Sequence, residues 1–276
     1  MENTLSNRYT HGHHESVLRS HKWRTAENSA GYLLKYLKSG MNILDVGCGP
    51  GTITLDFAEI VNPGMVVGID SSTEVIDQAR DECRKRKIEN AHFLRANLYE
   101  LTRETFPDSS FPELFDVVHA HQVLQHVKDP VKALESMAQK CSAGGVVAAR
   151  DSDYHGATWY PEISEMDEWM QIYQSIAREN GGEPDAGRRL LAWARSAGFK
   201  DIRPSGSCWC FATPEDRDFW GSLWADRVLY SSFFDQALER GYSEETLIRV
   251  SNGWKRWKED PSGYYLVVAG EIICIK

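Results

Sequence analysis

No apolar run in the chain approaches the roughly 18 residues that a membrane-crossing helix needs, and residues 1–11 are polar, without the apolar core of a secretion leader. A cytoplasmic protein is the expectation. Cysteine is sparse: Cys48, Cys83, Cys141, Cys208, Cys210 and Cys274 are scattered, with no CxxC pair. That spacing excludes a zinc knuckle and a small disulfide framework and points to reduced thiols. Positive charge is in deficit, with 31 Lys and Arg against 40 Asp and Glu and a net charge of -9. This argues against a phosphate-backbone binder, whose affinity rests on cations displacing counterions. The one basic cluster, Arg84 to Lys87, shares its predicted helix with Asp77, Asp81 and Glu82 and reads as a solvated helix end. Internal repeats, low-complexity tracts and long linkers are also missing, so 276 residues are left to build one core with at most a modest subdomain.

What the chain does have is alternation. Residues 26–38 carry Ala30, Leu33, Leu34 and Leu37 at helical spacing, with Gly40 as a stop. Short apolar runs follow at 41–46, 65–70, 91–95, 115–120 and 145–150, separated by helical patterns at 52–60, 73–87 and 130–141. Strands and helices in that order predict βαβ units and a parallel sheet covered on both faces, with ligands at the carboxyl ends of the strands. The second half is less regular. Helices are expected over 161–179 and 186–197, a strand within 199–211, helices over 213–259 from a capping-box-like Thr213 and Asp216, and a last strand over 264–275. A helical stretch that long before the last strand is either a lid or a flank packed away from the site.

The chemistry concentrates in Asp45-Val46-Gly47-Cys48-Gly49-Pro50-Gly51-Thr52, where a strand runs into a glycine turn and a helix. Glycine lets a ligand approach the backbone, and the helix start offers free N–H groups. The spacing is GxGxG, not the GxGxxG of a nicotinamide turn, and it suits an amino-acid tail better than a pyrophosphate. Asp45 can orient the turn or help hold an ammonium group. Asp70, at the end of the second strand, lies near the offset expected for a carboxylate that accepts from both ribose hydroxyls.

With Arg95-Ala96-Asn97-Leu98, Phe115-Asp116-Val117-Val118 and Val123-Leu124-Gln125-His126-Val127, these segments resemble class I S-adenosylmethionine methyltransferases, nearest the UbiE/COQ5-like small-molecule branch. The resemblance covers about residues 24–150. It implies a Rossmann-like, doubly wound, seven-stranded and mostly parallel α/β sheet, and S-adenosylmethionine as cofactor. The chain's own pattern suggests a helical cap over the cofactor from residues 1–40, a cofactor domain at 41–212 and 260–276, and a helical lid at 213–259. Gly47, Gly49 and Thr52 would line the methionine part, Asp70 and Ser71 the ribose, Asn97 and Leu98 the adenine, and His119 the region near the sulfonium. Of His119 and His121, both at the end of the fourth strand, one is expected to face the ligand. Asn97 stands where relatives often have Asp.

Methyl transfer asks the protein mainly for alignment and a dry pocket, but a phenol must lose a proton, at a cost of about 4 kcal/mol at neutral pH. Asp151, Ser152, Asp153, Tyr154 and His155 follow the fifth strand where a substrate would sit. His155 is the first candidate base and Asp153 the second, unless they merely cap the next helix. The aromatic second half, with Trp159, Tyr160, Trp169, Tyr173, Trp209, Phe211, Trp220, Trp224 and Tyr230, suggests a hydrophobic or aromatic small-molecule acceptor where it is not plain core. His11, His13 and His14 lack ligands from a second element, so no metal is expected. Two other readings stand beside methyl transfer: a protein of this fold that binds the cofactor without transferring, and a nicotinamide oxidoreductase, which the glycine spacing disfavours.

Overall fold

A computed structural model describes residues 23–106 and 108–276. The part of the expected cap that falls in residues 1–22, with the three N-terminal histidines, lies outside them. The described chain forms a seven-stranded sheet in the order β3-β2-β1-β4-β5-β7-β6. Strands β1 (Ile43–Val46), β2 (Val66–Asp70), β3 (Ala91–Arg95), β4 (Phe115–His121) and β5 (Cys141–Tyr160) run parallel. β7 (Tyr264–Ile275) inserts antiparallel between β5 and β6 (Asp201–Phe211). Helices α1 (Ala26–Leu34), α2 (Thr52–Val61) and α3 (Thr73–Arg86) bury Leu33, Phe57 and Ile76 against Ile43, Val66 and Val117 on one face. On the other face, α4 (Pro130–Lys140) and α6 (Leu190–Ser196) set Leu134, Met137 and Leu190 against Leu44, Val46, Val118 and Ala120. The two residue sets alternate along each strand, as a sheet covered on both faces requires.

The fifth strand is the main departure from the sequence reading. The pattern ends it at 150, yet β5 continues to Tyr160. The run Asp151-Ser152-Asp153-Tyr154-His155 looks like a loop because it is polar, but most of its buried polar atoms have partners inside the fold. Asp151 accepts the Gln125 N–H at 3.0 Å, and Asp153 takes a bidentate ion pair from Arg188 at 2.6 and 2.8 Å. A strand can hold such residues once their hydrogen bonds are met. Its partner β7 follows the extension, with Thr158 opposite Leu266 and Tyr160 opposite Tyr264 after an irregularity in register.

This extension carries a second core. Helices α5 (Ser164–Glu179), α7 (Pro214–Tyr230), α8 (Ser232–Glu239) and α9 (Glu244–Glu259) gather Trp169, Tyr173, Trp224, Trp254 and Trp257 on Phe211 and Tyr265. The rings meet edge-on, as in the Trp169–Trp254 pair at 4.8 Å and 86°, or stacked, as in Trp224–Trp254 at 5.9 Å and 15°. The Thr213 capping box is present at the start of α7. Because α5 packs in the same unit, the helices of 213–259 are not a free-standing insertion, and most of the aromatic signal is core.

Trp254 is fully buried, so Trp254→Ala should cost about 3–5 kcal/mol of stability. Chemical denaturation measures this. Cofactor affinity should stay unchanged, because Trp254 does not line the cavity described next; a large loss of affinity without a loss of stability would contradict the core assignment.

Candidate active site

A cavity of about 670 Å³ opens at the carboxyl ends of β1, β2, β4 and β5. Its floor is the turn from β1 to α2. Gly47 and Gly49 hold φ of +66° and +56°, a left-handed backbone that favours glycine, and a Cβ on Gly47 would collide with the side chain of Val123. Asp45 anchors this turn from below. It is 3 % exposed; its Oδ1 accepts from His119 Nδ1 at 2.8 Å and its Oδ2 from the Thr54 hydroxyl at 2.5 Å. Asp45 and His119 are register partners on adjacent strands, and Thr54 lies in the first turn of α2. The carboxylate therefore ties β1, β4 and α2 together.

Asp70 sits beside the turn at the end of β2. The N–H groups of Gly49 and Ser72 donate to its two oxygens at 3.2 and 3.0 Å, which fixes the carboxylate with lone pairs to spare for a diol. Ser71, Asn97 and Leu98 continue the lining. Asn97 Oδ1 accepts the Tyr99 N–H at 3.1 Å, so its amide is oriented by the backbone and its Nδ2 is the donor left for a ligand. The thiol of Cys48, also in the lining, is pushed well up by burial and then by the charges of Asp45 and Asp70, which keeps it protonated and unreactive. Three things a nucleoside with an amino-acid tail requires are thus adjacent: a glycine turn at a helix start, a fixed carboxylate, and an amide beyond it. The residues fit S-adenosylmethionine.

Of the residues expected from sequence, Asp45, Gly47, Gly49, Thr52, Asp70, Ser71, Asn97 and Leu98 line the cavity and His119 does not. His119 is fully buried, edge-on to Phe57 at 5.0 Å. Strand alternation puts His119 and His121 on one face, so depth separates them: His119 lies under α2, whereas His121 at the strand end reaches the cavity. His155 and Asp153 are also outside it. His155 is exposed, its N–H donating to Asp185 at 2.8 Å, and Asp153 is committed to Arg188. Read as a strand, 151–155 sends Ser152 and Tyr154 to the cavity, and these two line it.

Sequence reasoning missed three further groups. Gln122, at φ +53°, turns the chain after β4, accepts from Arg24 and donates from Nε2 to the Ser152 hydroxyl at 2.6 Å. Gln125 accepts the Ser152 N–H through its side-chain oxygen at 3.2 Å. His126 is held down to about 3 by burial and then by the charge of Arg24, so its imidazole is neutral near pH 7. The first of these had a signal in the polar segment after β4; of the other lining residues, Trp209 and Trp220 belong to the aromatic second half already noted in the sequence, while Arg227 and Tyr265 had no signal, since only tertiary packing brings them there.

Residues 37–198 match the family described as a methyltransferase domain. The chain is 38% identical over 277 residues to an uncharacterized methyltransferase of Schizosaccharomyces pombe, covering 96% of this chain and 95% of that one. It is 26% identical to a probable methyltransferase of Aspergillus luteorubrus over 98% of both. It is 29% identical to a demethylmenaquinone methyltransferase of Listeria welshimeri over 57% of this chain and 58% of that one. The fold is similar to that of the YcgJ protein of Bacillus subtilis, with a TM-score of 0.59 at 18% identity, covering 91% and 98% of the two chains.

Two expected outcomes follow from this geometry. Asp70→Ala should remove a charge-assisted contact worth about 2 kcal/mol and weaken S-adenosylhomocysteine binding roughly thirtyfold in calorimetry, while unchanged affinity would put the ribose elsewhere. Asp151, fully buried behind Ser152, is raised to about 7 by burial, against the N–H groups of Gln125 and Leu124 that favour its charge. Its unfolded value is about 3.9, so the fold binds the proton more tightly and wild-type stability should fall as pH rises from about 4 to 7. Asp151→Asn should lack this fall, gaining on wild type between pH 5 and 8 in urea midpoints; parallel pH curves would exclude it.

The match over more than half the chain, the relative spanning its whole length and the fitted cavity place the protein in the methyltransferase domain family, as an S-adenosylmethionine-dependent methyltransferase.

Proposed function

We propose that the enzyme methylates a hydrophobic or aromatic small molecule seated beyond the glycine turn. The observation that carries this reading is the continuation of the cavity into an end walled by Tyr154, Trp209, Trp220, Tyr265 and Val267. Flat rings on several sides suit an apolar or aromatic acceptor and keep water from the reacting atoms. Helix α7 supplies Trp220 to this wall and serves as its roof, with α8 and α9 bracing α7 from behind.

S-adenosylmethionine supplies an electrophilic methyl whose bond to sulfur breaks as the acceptor's electron pair forms the new bond, leaving a neutral thioether. The chain's own residues do the rest. The N–H groups at the start of α2 and the Asp70 carboxylate hold the donor, and the Gln122–Ser152 hydrogen bond fixes the boundary between the donor and acceptor ends. His121, at the end of β4 beside Trp209 with ring centroids 5.7 Å apart, is the group placed to take a proton from an acceptor hydroxyl. Tyr154 is raised by burial and stays protonated, so it serves as a hydrogen-bond donor rather than as a base.

Incubation with S-adenosylmethionine and a panel of phenols, quinones and thiols, read by mass spectrometry, should give a product heavier by one methylene together with S-adenosylhomocysteine. His121→Gln should lower turnover on a hydroxyl acceptor by about 10²–10⁴ while leaving cofactor affinity intact. Cofactor binding with no product from any acceptor class would instead favour a binding protein of this fold.

A further inference from the structure

A line of polar side chains runs to the border between the two ends of the cavity. Arg24 donates to Gln122 Oε1, and Gln122 Nε2 donates to the Ser152 hydroxyl at 2.6 Å. The direction of this line is forced. A guanidinium carries donors alone, so the oxygen of the Gln122 amide has to face Arg24 and its NH2 group has to face Ser152. The Ser152 oxygen therefore accepts from Gln122, and its own proton is left for another oxygen. Among the described residues the Ser152 hydroxyl donates to none. Ser152 is 1 % exposed and lines the cavity, so the space open to that proton is the cavity itself.

The hydroxyl is also held in place. Ser152 pairs with Ala269 of β7, its N–H donates to Gln125 Oε1 at 3.2 Å, and the Gln125 N–H donates to Asp151 at 3.0 Å. Gln125 Nε2 lies 3.0 Å from Nε2 of the neutral His126, so this amide is fixed at both ends. A row of donors that starts on a positive charge polarises the last of them, and a buried setting strengthens its hold on a lone pair. The position suits a substrate contact. Ser152 lies two residues beyond Arg150, the register partner of His121, and two before Tyr154, where the aromatic wall begins. A substituent on a ring seated against that wall passes this point.

We propose that Ser152 is a specificity-determining residue, whose hydroxyl donates to an oxygen of the methyl acceptor other than the atom that is methylated. The proposal rests on the small-molecule reading above and adds a requirement to it: the aromatic acceptor carries an ether, carbonyl or hydroxyl oxygen with a free lone pair. An alkyl group in the same place leaves a buried hydroxyl without a partner and is rejected on that ground.

The test uses the whole protein and calorimetry in two steps. S-adenosylhomocysteine is titrated first, and matched pairs that exchange an oxygen for a CH2 group are then titrated into the loaded protein: 2-methoxyphenol and 2-ethylphenol, 3-methoxyphenol and 3-ethylphenol, 3-hydroxyacetophenone and 3-isopropenylphenol. Burial alone favours the alkyl member of each pair. In at least one pair the oxygen member should nevertheless bind about fivefold or more tightly. Ser152→Ala should reverse that preference with S-adenosylhomocysteine affinity unchanged. Gln122→Glu should also remove it although Ser152 is kept, because a carboxylate accepts the Ser152 proton and draws it out of the cavity. A serine that merely supports the strand would lower the affinity of both members alike. Equal binding within every pair, binding of no pair at all, a preference that survives in Ser152→Ala or Gln122→Glu, or loss of S-adenosylhomocysteine binding in Ser152→Ala overturns the proposal while leaving the methyltransferase reading in place. Absence of heat with S-adenosylhomocysteine in the unaltered protein overturns both.

Discussion

A buried carboxylate holds the donor site in shape. Asp45 takes one hydrogen bond from His119 on the neighbouring strand and one from Thr54 on the following helix, so a single side chain fixes the junction of β1, β4 and α2. The glycine turn between β1 and α2 has little side chain of its own to stiffen it, and its left-handed glycines cost conformational entropy on folding. The Asp45 pair supplies the missing rigidity from within the core. Asp70 is in turn positioned by an N–H of that same turn, so its carboxylate inherits the order imposed by Asp45. A charge inside the fold is tolerable because each of the two Asp45 oxygens has a hydrogen-bond partner.

The aromatic end of the cavity depends on a different constraint. β5, β7 and β6 run on beyond the parallel part of the sheet as an antiparallel platform, and the tryptophan-rich helices pack on it. The platform delivers Ser152 and Tyr154 from β5, Trp209 from β6 and Tyr265 from β7 to one cavity, while the helices add Trp220 and Arg227. The second core therefore shapes the aromatic end of the cavity from outside, and the glycine-turn end meets it along the Gln122–Ser152 contact. Burial of Trp169, Trp224 and Trp254 supports the walls, whereas Trp220 and Trp209 serve both as core and as lining.

Much of the donor site was legible in the sequence, because short-range physics sets it. A glycine turn between an apolar run and a helix, with an acid at the end of the next strand, is a local pattern, and residues 45–52 and 70–71 lie where that pattern puts them. The bounds of β3 and β7 were equally plain, since both are apolar runs flanked by turns. Polar residues with tertiary partners were misleading. Asp153 looks like a base until Arg188, distant in sequence, claims it, and 151–155 looks like a loop until Gln125 and Gln122 satisfy its polar groups. His119 and His121 differ only in depth along one strand face, which periodicity does not report. Arg227 carries no local signal, and it reaches the cavity only once α7 folds over the sheet.

The central claim is that one cavity holds the donor on the glycine turn and the acceptor against the aromatic wall, with His121 at their meeting point. The most direct measurement is a crystal structure of the protein with S-adenosylhomocysteine. It should show the ribose hydroxyls on Asp70, the adenine against Asn97 and Leu98, and the sulfur facing the space bounded by His121, Tyr154 and Trp220. A ligand bound with its sulfur turned away from His121, or outside this cavity, would contradict the account.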